Sequence, residues 1–201
     1  MNALDAETKT HGGQSLLTDG FDPKPRQTIF SPCRTYRYAL WREWIGGEGY
    51  AMFVGLNPST ADETQDDPTI RRCIAFAKAW GYAGLCMTNL FAFRATDPKD
   101  MKAAADPVGP DNNKHLGMLA HRAGVVVAAW GANGTHRGRD AEVRAMLDQA
   151  LHCLALTKDG HPGHPLYLRK TLTPVPMGSN SYSCAETSGL LSIKRTRSKC
   201  L

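Results

Sequence analysis

From Tyr36 onward the chain alternates between short apolar runs and polar loops that lead into amphipathic stretches. In TYRYALWREW, Tyr36, Tyr38 and Leu40 alternate with Arg37 and Ala39, which is the period of a strand. GGEG reads as a hairpin loop into YAMFVGLN and predicts two adjacent antiparallel strands. Asp67 and Pro68 then form a helix cap and first-turn pair, because a carboxylate accepts free amides where proline has none to offer. Ile70, Cys73, Ile74, Ala77 and Trp80 supply the apolar face of that helix, and Gly81 ends it. GLCMTNLF is the next strand. DNNKHLGMLAHR predicts a second helix with Leu116, Leu119 and Ala120 on one face, and GVVVAAW a strand buried on both sides. RDAEVRAMLDQALH predicts a third helix that buries Val143, Met146, Leu147, Ala150 and Leu151, followed by CLALT as the last clear strand.

Strand and helix in this alternation predict an α/β fold, a three-layer α/β/α sandwich with a mostly parallel central sheet. A length of 201 residues suits one such domain with tails. The reading divides the chain into a polar leader over 1–30, interrupted by Gly12, Gly13, Gly20, Pro23 and Pro25, a single domain over 31–177, and a disordered basic tail over 178–201.

Charge adds little to this picture. Of the net +5, the tail holds three, from Lys194, Arg195, Arg197 and Lys199 against Glu186, so the body is near neutrality and neither demands nor excludes a polyanion. The six cysteines form no CxxC pair and sit partly inside apolar runs, which favours a reducing compartment. No stretch approaches the length of a membrane span, and the N-terminus lacks the basic start and apolar run of a signal peptide. The expectation is a cytoplasmic protein without a membrane partner; oligomeric state is not legible.

In parallel sheets ligands gather at the carboxyl ends of the strands, where loops converge. The four loops after the four core strands are NPSTADETQDDPT, NLFAFRATDP, WGANGTHRG and KDGHPGHPLY. They bring Asn57, Asn89, Trp130, Asn133, His136, His161 and His164 to one rim. Asn57, held extended by Pro58, either positions a water or ligand edge or closes an Asx-turn. Asn89 interrupts an apolar strand and can read the edge of a base or amide, or bond a neighbouring loop. Asp66 is a candidate general base or a solvated carboxylate; Asp67 is first a helix cap. His164, stiffened by Pro165, suits a donor to a developing anion. Ser59 and Thr60 offer hydroxyls to a ligand, His136 a phosphate contact or a solvated turn. Phe91 and Phe93 beside Asn89 either stack on a planar ligand or pack in the core. No His/Cys spacing accompanies the acids, so neither a metal nor another cofactor is expected, and no GxSxG elbow supports a serine nucleophile.

YRYALWREW, GLNPSTADETQDDPTIRRC, WGYAGLCMTNLFAFRATDP, VVAAWG and TKDGHPGHPLY together resemble the bacterial domain-of-unknown-function 1643 family over about Tyr36 to Tyr167. GLNPS, a strand-end asparagine, an apolar strand into WG and a late HP also resemble, more distantly, the uracil-DNA glycosylase superfamily. That second resemblance implies a glycosylase-like fold. It implies Asn57 as water-positioning residue, Asn89 as base reader and His164 as stabiliser of the leaving base. Asparagine at the first motif resembles the mismatch-specific branch, whose amide cannot accept a proton as a carboxylate can, and HPGHPLY lacks the serine and leucine-serine wedge used on duplex DNA. The leading expectation is therefore an N-glycosidic bond hydrolase acting on a nucleobase-containing ligand, free or within DNA or RNA. A non-catalytic nucleotide or modified-base binding module is the alternative, and a metal-dependent small-molecule hydrolase using Asp66 or Asp67 the third.

Overall fold

The computed structural model describes residues 25–59, 61, 64–147 and 151–177. The readings for 1–24 and for the tail 178–201 lie outside the described residues, as do Thr60 and Ala150. The elements are β1 (Arg26–Phe30), β2 (Arg37–Glu43), β3 (Tyr50–Gly55), α1 (Pro68–Ala79), β4 (Gly84–Asn89), α2 (Pro98–Ala103), α3 (Asn112–Arg122), β5 (Val125–Ala128), α4 (Arg139–Leu147), β6 (Leu151–Cys153) and β7 (Val175–Pro176). The strands form one seven-stranded sheet in the order β1-β2-β4-β3-β5-β6-β7. Among the described residues no helix is long and apolar enough to cross a membrane.

The sheet is mixed, not mostly parallel. β4, β3, β5 and β6 run parallel, while β1-β2, β2-β4 and β6-β7 are antiparallel. The predicted hairpin between β2 and β3 does not exist, because β4 lies between them. Both β2 and β3 meet Gly84 at the start of β4, the first through Glu43 and the second through Tyr50. GGEG is thus a strap passing round the end of an intervening strand. Trp44 N donates to Ala83 O at 3.0 Å, and Ala83 N to Gly49 O at 3.1 Å. Gly47, at φ +92°, presses so closely on the Gly81–Ala83 backbone that a β-carbon would collide with it. A short glycine-rich link between two strands is what a hairpin also looks like, and only the third strand distinguishes the cases.

The parallel strands are apolar throughout because both of their faces are covered. Alternate residues of β3 part company: Met52 and Val54 join a cluster with Met101 of α2, Leu116 and Leu119 of α3 and Val143 of α4, while Ala51 and Phe53 join one with Ile70, Cys73 and Phe76 of α1. Each fully buried large apolar side chain contributes on the order of 1.5–3 kcal/mol. β2 departs from the expected alternation, since all residues from Arg37 to Arg42 are buried, the two arginines included at 2% exposure each.

α1 begins as predicted, with Asp67 Oδ1 accepting from Ile70 N at 2.8 Å and Pro68 in the first turn. α3 buries Leu116, Leu119 and Ala120 as its spacing predicts. The third predicted helix is shorter: α4 buries Val143 and Leu147 but leaves Met146 39% exposed. Leu151, read as helical, opens β6 and pairs with Val126, so the last parallel strand starts upstream of CLALT. β1 falls inside the stretch read as leader; its own pattern is weak, and pairing with β2 supplies what its five residues lack. α2 escaped prediction because six residues with one buried side chain, Met101, show no helical period.

Candidate binding pocket at the strand ends

The loops after β3, β4, β5 and β6 close round one cavity of about 510 Å³. Asn57, Asn89 and His164, separated widely in the chain, all line it, together with Ser59, Asp67, Trp130, Tyr167 and the buried Arg37. The volume lies within the range of small-molecule sites, about 300–1,000 Å³.

The first two loops run side by side as if the strands had not ended. Leu90 N donates to Gly55 O at 2.9 Å, Phe91 N to Leu56 O at 3.0 Å and Ala95 N to Pro58 O at 3.0 Å. Asn57 locks the pair: its Nδ2 donates to Ala95 O at 2.8 Å and to Pro58 O at 3.1 Å. Both amide hydrogens are thereby spent on backbone, and the group Asn57 retains is the carbonyl Oδ1, an acceptor.

Asn89 ends β4 at 1% exposure, and its Nδ2 has no acceptor among the described residues. A buried donor left so costs about 1–3 kcal/mol, which a ligand acceptor in this cavity would offset. The peptide that carries Asn89 is held from behind. Asn112 Nδ2 donates to Asn89 O at 3.1 Å and Leu90 O at 2.9 Å, and Arg139 Nε reaches Leu90 O at 2.9 Å. Asn112 and Arg139 are 0% and 1% exposed, and neither was singled out from the sequence, where each stands only near the start of a predicted helix.

The third wall is Trp130 to Asn133, tied to the fourth by Gly131 N donating to Pro162 O at 3.0 Å. In the fourth, His164 caps the short 3₁₀ turn Pro165–Tyr167, and its Nδ1 accepts from Leu166 N at 3.4 Å. That bond assigns the ring hydrogen to Nε2. Burial lowers the His164 pKa from its ordinary value, against a smaller opposing pull from Asp67, so the imidazole is a neutral donor at pH 7. Arg72 of α1 holds this turn by donating to the carbonyls of Pro165 and Leu168.

The model of the family described as protein of unknown function (DUF1643) matches residues 37–166. The chain belongs to that family. The stretch shared with the DUF1643 family contains every described residue lining the cavity except Tyr167. No curated protein and no solved structure matches the chain.

Other residues singled out from the sequence lie elsewhere. Asp66 forms ion pairs with Arg42 at 2.7 Å and Arg26 at 3.1 Å and does not line the cavity. Two strand arginines arriving from β1 and β2 claim that carboxylate, which no local spacing announces. Phe91 is fully buried in the core, with His136 5.7 Å from its ring centre, and Phe93 packs edge-on against Tyr36 at 6.1 Å. Neither phenylalanine nor His136 reaches the cavity, because the chain after Asn89 turns its aromatic side chains inward and towards β2. Asp67 both caps α1 and lines the cavity. Arg37, which does line it, was missed because strand alternation had sent it to solvent; it donates to Ala61 O instead.

Proposed function

We propose that the cavity takes a nucleobase and that the protein hydrolyses its N-glycosidic bond, within a three-layer α/β/α domain of uracil-DNA-glycosylase-like fold. The observation that carries this reading is the meeting of Asn57, Asn89 and His164 in one cavity, with the Asn89 amide nitrogen buried and offered no acceptor among the described residues. The separation of the core into one cluster against α1 and one against α2, α3 and α4 supports the layered fold.

Breaking an N-glycosidic bond leaves positive charge on the sugar and negative charge on the departing base. Two neutral donors, Asn89 Nδ2 and His164 Nε2, suit the oxygen or ring nitrogen of an oxo-bearing base, and the donor made stronger by charge development supplies about 3 kcal/mol, or two orders of magnitude in rate. Asn57 Oδ1 accepts one hydrogen bond from an attacking water and orients it. Trp130 and Tyr167 supply planar surface. The deciding experiment is a base-release screen over nucleosides, nucleotides and single-stranded DNA and RNA with modified bases. Release that slows by about a hundredfold in His164→Ala, with less change in binding, supports the hydrolase.

One feature favours the binding-module alternative. Among the described residues, Asp67 is the carboxylate that lines the cavity and its Oδ1 is spent on Ile70 N, while Asp66 is held by two arginines away from the lining, so no carboxylate among them is dedicated to taking a proton from water. Base binding without release over the whole panel would establish that alternative, and absence of both would end the nucleobase reading.

A further inference from the structure

Tyr167 stands at the mouth of the cavity. Among the described residues two large aromatic side chains line the pocket, Trp130 at 2% exposure and Tyr167 at 82%. The indole belongs to the enclosure, whereas the phenol ring is open to solvent over most of its surface. At that exposure Tyr167 returns little of the burial energy that a packed aromatic contributes to a fold. Its ring meets the His164 ring, with centres 5.5 Å apart and planes at 45°, so the open surface adjoins a residue of the pocket. Leu166 beside it, 38% exposed, also lines the cavity. Single exposed apolar side chains are ordinary on a protein surface, but these two share a turn and edge a cavity.

The turn holds this ring on a fixed backbone. Tyr167 N donates to His164 O at 3.1 Å and Leu168 N to Pro165 O at 3.2 Å. Leu166 N donates to His164 Nδ1, and Arg72 of α1 donates to the carbonyls of Pro165 and Leu168 on either side of the ring. Pro165 is buried and fixes its own φ. The tyrosine side chain then has two torsions to lose on contact, and it presents a large flat surface at small entropic cost. The surroundings are cationic. Arg169 and Lys170 follow the ring, Lys158 lies in the same loop, all three are exposed, and Asp159 is the only acid from Leu151 to Met177. An open aromatic ring among cations is the chemistry that holds a single-stranded nucleic acid, the ring taking the face of any base and the cations following the backbone. The core of a protein interface is by contrast depleted of lysine.

We infer that Tyr167 is a stacking platform for the base next to the one held in the Asn57–Asn89–His164 pocket, so that the ligand is a single-stranded polynucleotide and a free nucleotide fills only part of the site. The inference rests on the nucleobase reading of the pocket. A base seated inside leaves its sugar and phosphates at the mouth, where the next base of the strand comes within reach of the exposed ring. It gives Tyr167, which the fold does not need for burial, a use that depends on its being both aromatic and open.

Binding is measured by calorimetry for nucleosides and their monophosphates, and by fluorescence anisotropy for end-labelled trinucleotides of DNA and RNA. Each trinucleotide is paired with one whose two flanking positions are abasic, which keeps the phosphates and removes the neighbouring bases. Wild type is compared with Tyr167→Phe, Tyr167→Leu and Tyr167→Ala, and with Asn89→Ala and His164→Gln for the pocket, with a thermal melt of each. Full trinucleotides are expected to bind at least about tenfold more tightly than the abasic-flanked ones. Tyr167→Ala and Tyr167→Leu should erase that ratio and Tyr167→Phe keep it, with the melting temperature unmoved because the ring is exposed. The ratio should hold as salt is raised, since both ligands carry the same phosphates. Equal binding of full and abasic-flanked trinucleotides by wild type, or an undiminished ratio in Tyr167→Ala, would overturn the platform and leave the base pocket standing. A ratio that depends on Tyr167, in ligands whose affinity is indifferent to whichever of Asn89→Ala and His164→Gln melts as wild type does, would keep the platform and remove the base from the pocket. Wild type that binds none of these ligands would overturn both.

Discussion

Gly55 and Asn89 face each other across the last register pair of the parallel strands β3 and β4, and a β-carbon on Gly55 would stand 2.9 Å from Asn89 Oδ1. The missing side chain on one strand is the space into which the other projects its amide. Gly55→Ala also brings a methyl within 2.7 Å of Met87 Cε, but that atom ends a flexible side chain and can yield, whereas Asn89 is buried and carries the donor. The variant is expected to lose about 1–3 kcal/mol of stability from overpacking and to lose ligand binding more than that suggests. Urea denaturation read beside ligand titration checks it; a variant that binds normally would show that the Asn89 orientation is not what the pocket requires.

The pocket residues that were legible in the sequence are those at a strand end or in the loop that follows it. Asn57, Asn89 and His164 each follow an apolar run, and the rule that ligands collect at strand ends assigned them to one rim without knowing which strand neighboured which. It needs only that the strands feeding those loops run parallel, which β4, β3, β5 and β6 do, so the antiparallel strands at the edges leave it intact. What local pattern did not announce is everything held by partners far along the chain. Arg37 and Arg42 look solvent-facing until the loop after β3 folds over them, bringing Ala61 O to the first and Asp66 to the second. Asn112 and Arg139 look like helix-surface residues until the Asn89–Leu90 carbonyls turn towards them. Arg34 and Arg94, 60 residues apart, become neighbours only through Phe30 of a strand whose own signal is weak.

Asp66 offers a test of structural against catalytic service. Its carboxylate meets Arg42, whose side chain is 3% exposed, and Asp66 itself is 17% exposed. Asp66→Asn withdraws that charge from a buried guanidinium and is expected to destabilise the fold by on the order of 3 kcal/mol. Chemical denaturation gives the number. Unchanged stability with abolished base release would instead make Asp66 a proton acceptor.

Asn112 positions the peptide that carries Asn89 without lining the cavity. Asn112→Ala removes the donor to Asn89 O and one of two donors to Leu90 O, in a site that water does not reach. The expected cost is about 1–3 kcal/mol for each carbonyl left unanswered, with Leu90 O partly protected by Arg139 Nε. Ligand affinity should fall as well, because the peptide bearing Asn89 can then rotate. Hydrogen exchange at the end of β4 would record the loosening directly, and unaltered protection there would assign the stabilisation of this peptide to Arg139 alone.

His164 makes stability and binding depend on pH in a direction fixed by its burial. Its pKa lies below the ordinary value of 6.5, so the folded protein binds less proton at this ring than the unfolded chain does. The stabilising contribution is complete above about pH 6.5 and is lost as pH falls through the folded pKa. His115 and His136, also lowered by burial, act in the same sense, so the informative quantity is the difference between wild type and His164→Gln. Stability of the variant should fall less on acidification. Protonation puts a hydrogen on Nδ1 and forfeits the bond that Leu166 N donates to it, loosening the Pro165–Tyr167 turn that holds His164 in the pocket wall. Ligand affinity should accordingly be flat above neutrality and decline below it, while nitrogen shifts of the ring report the Nε2–H tautomer. Affinity rising on acidification would mean that the charged imidazolium is the working form, and the pocket would then be built for an anionic group at His164.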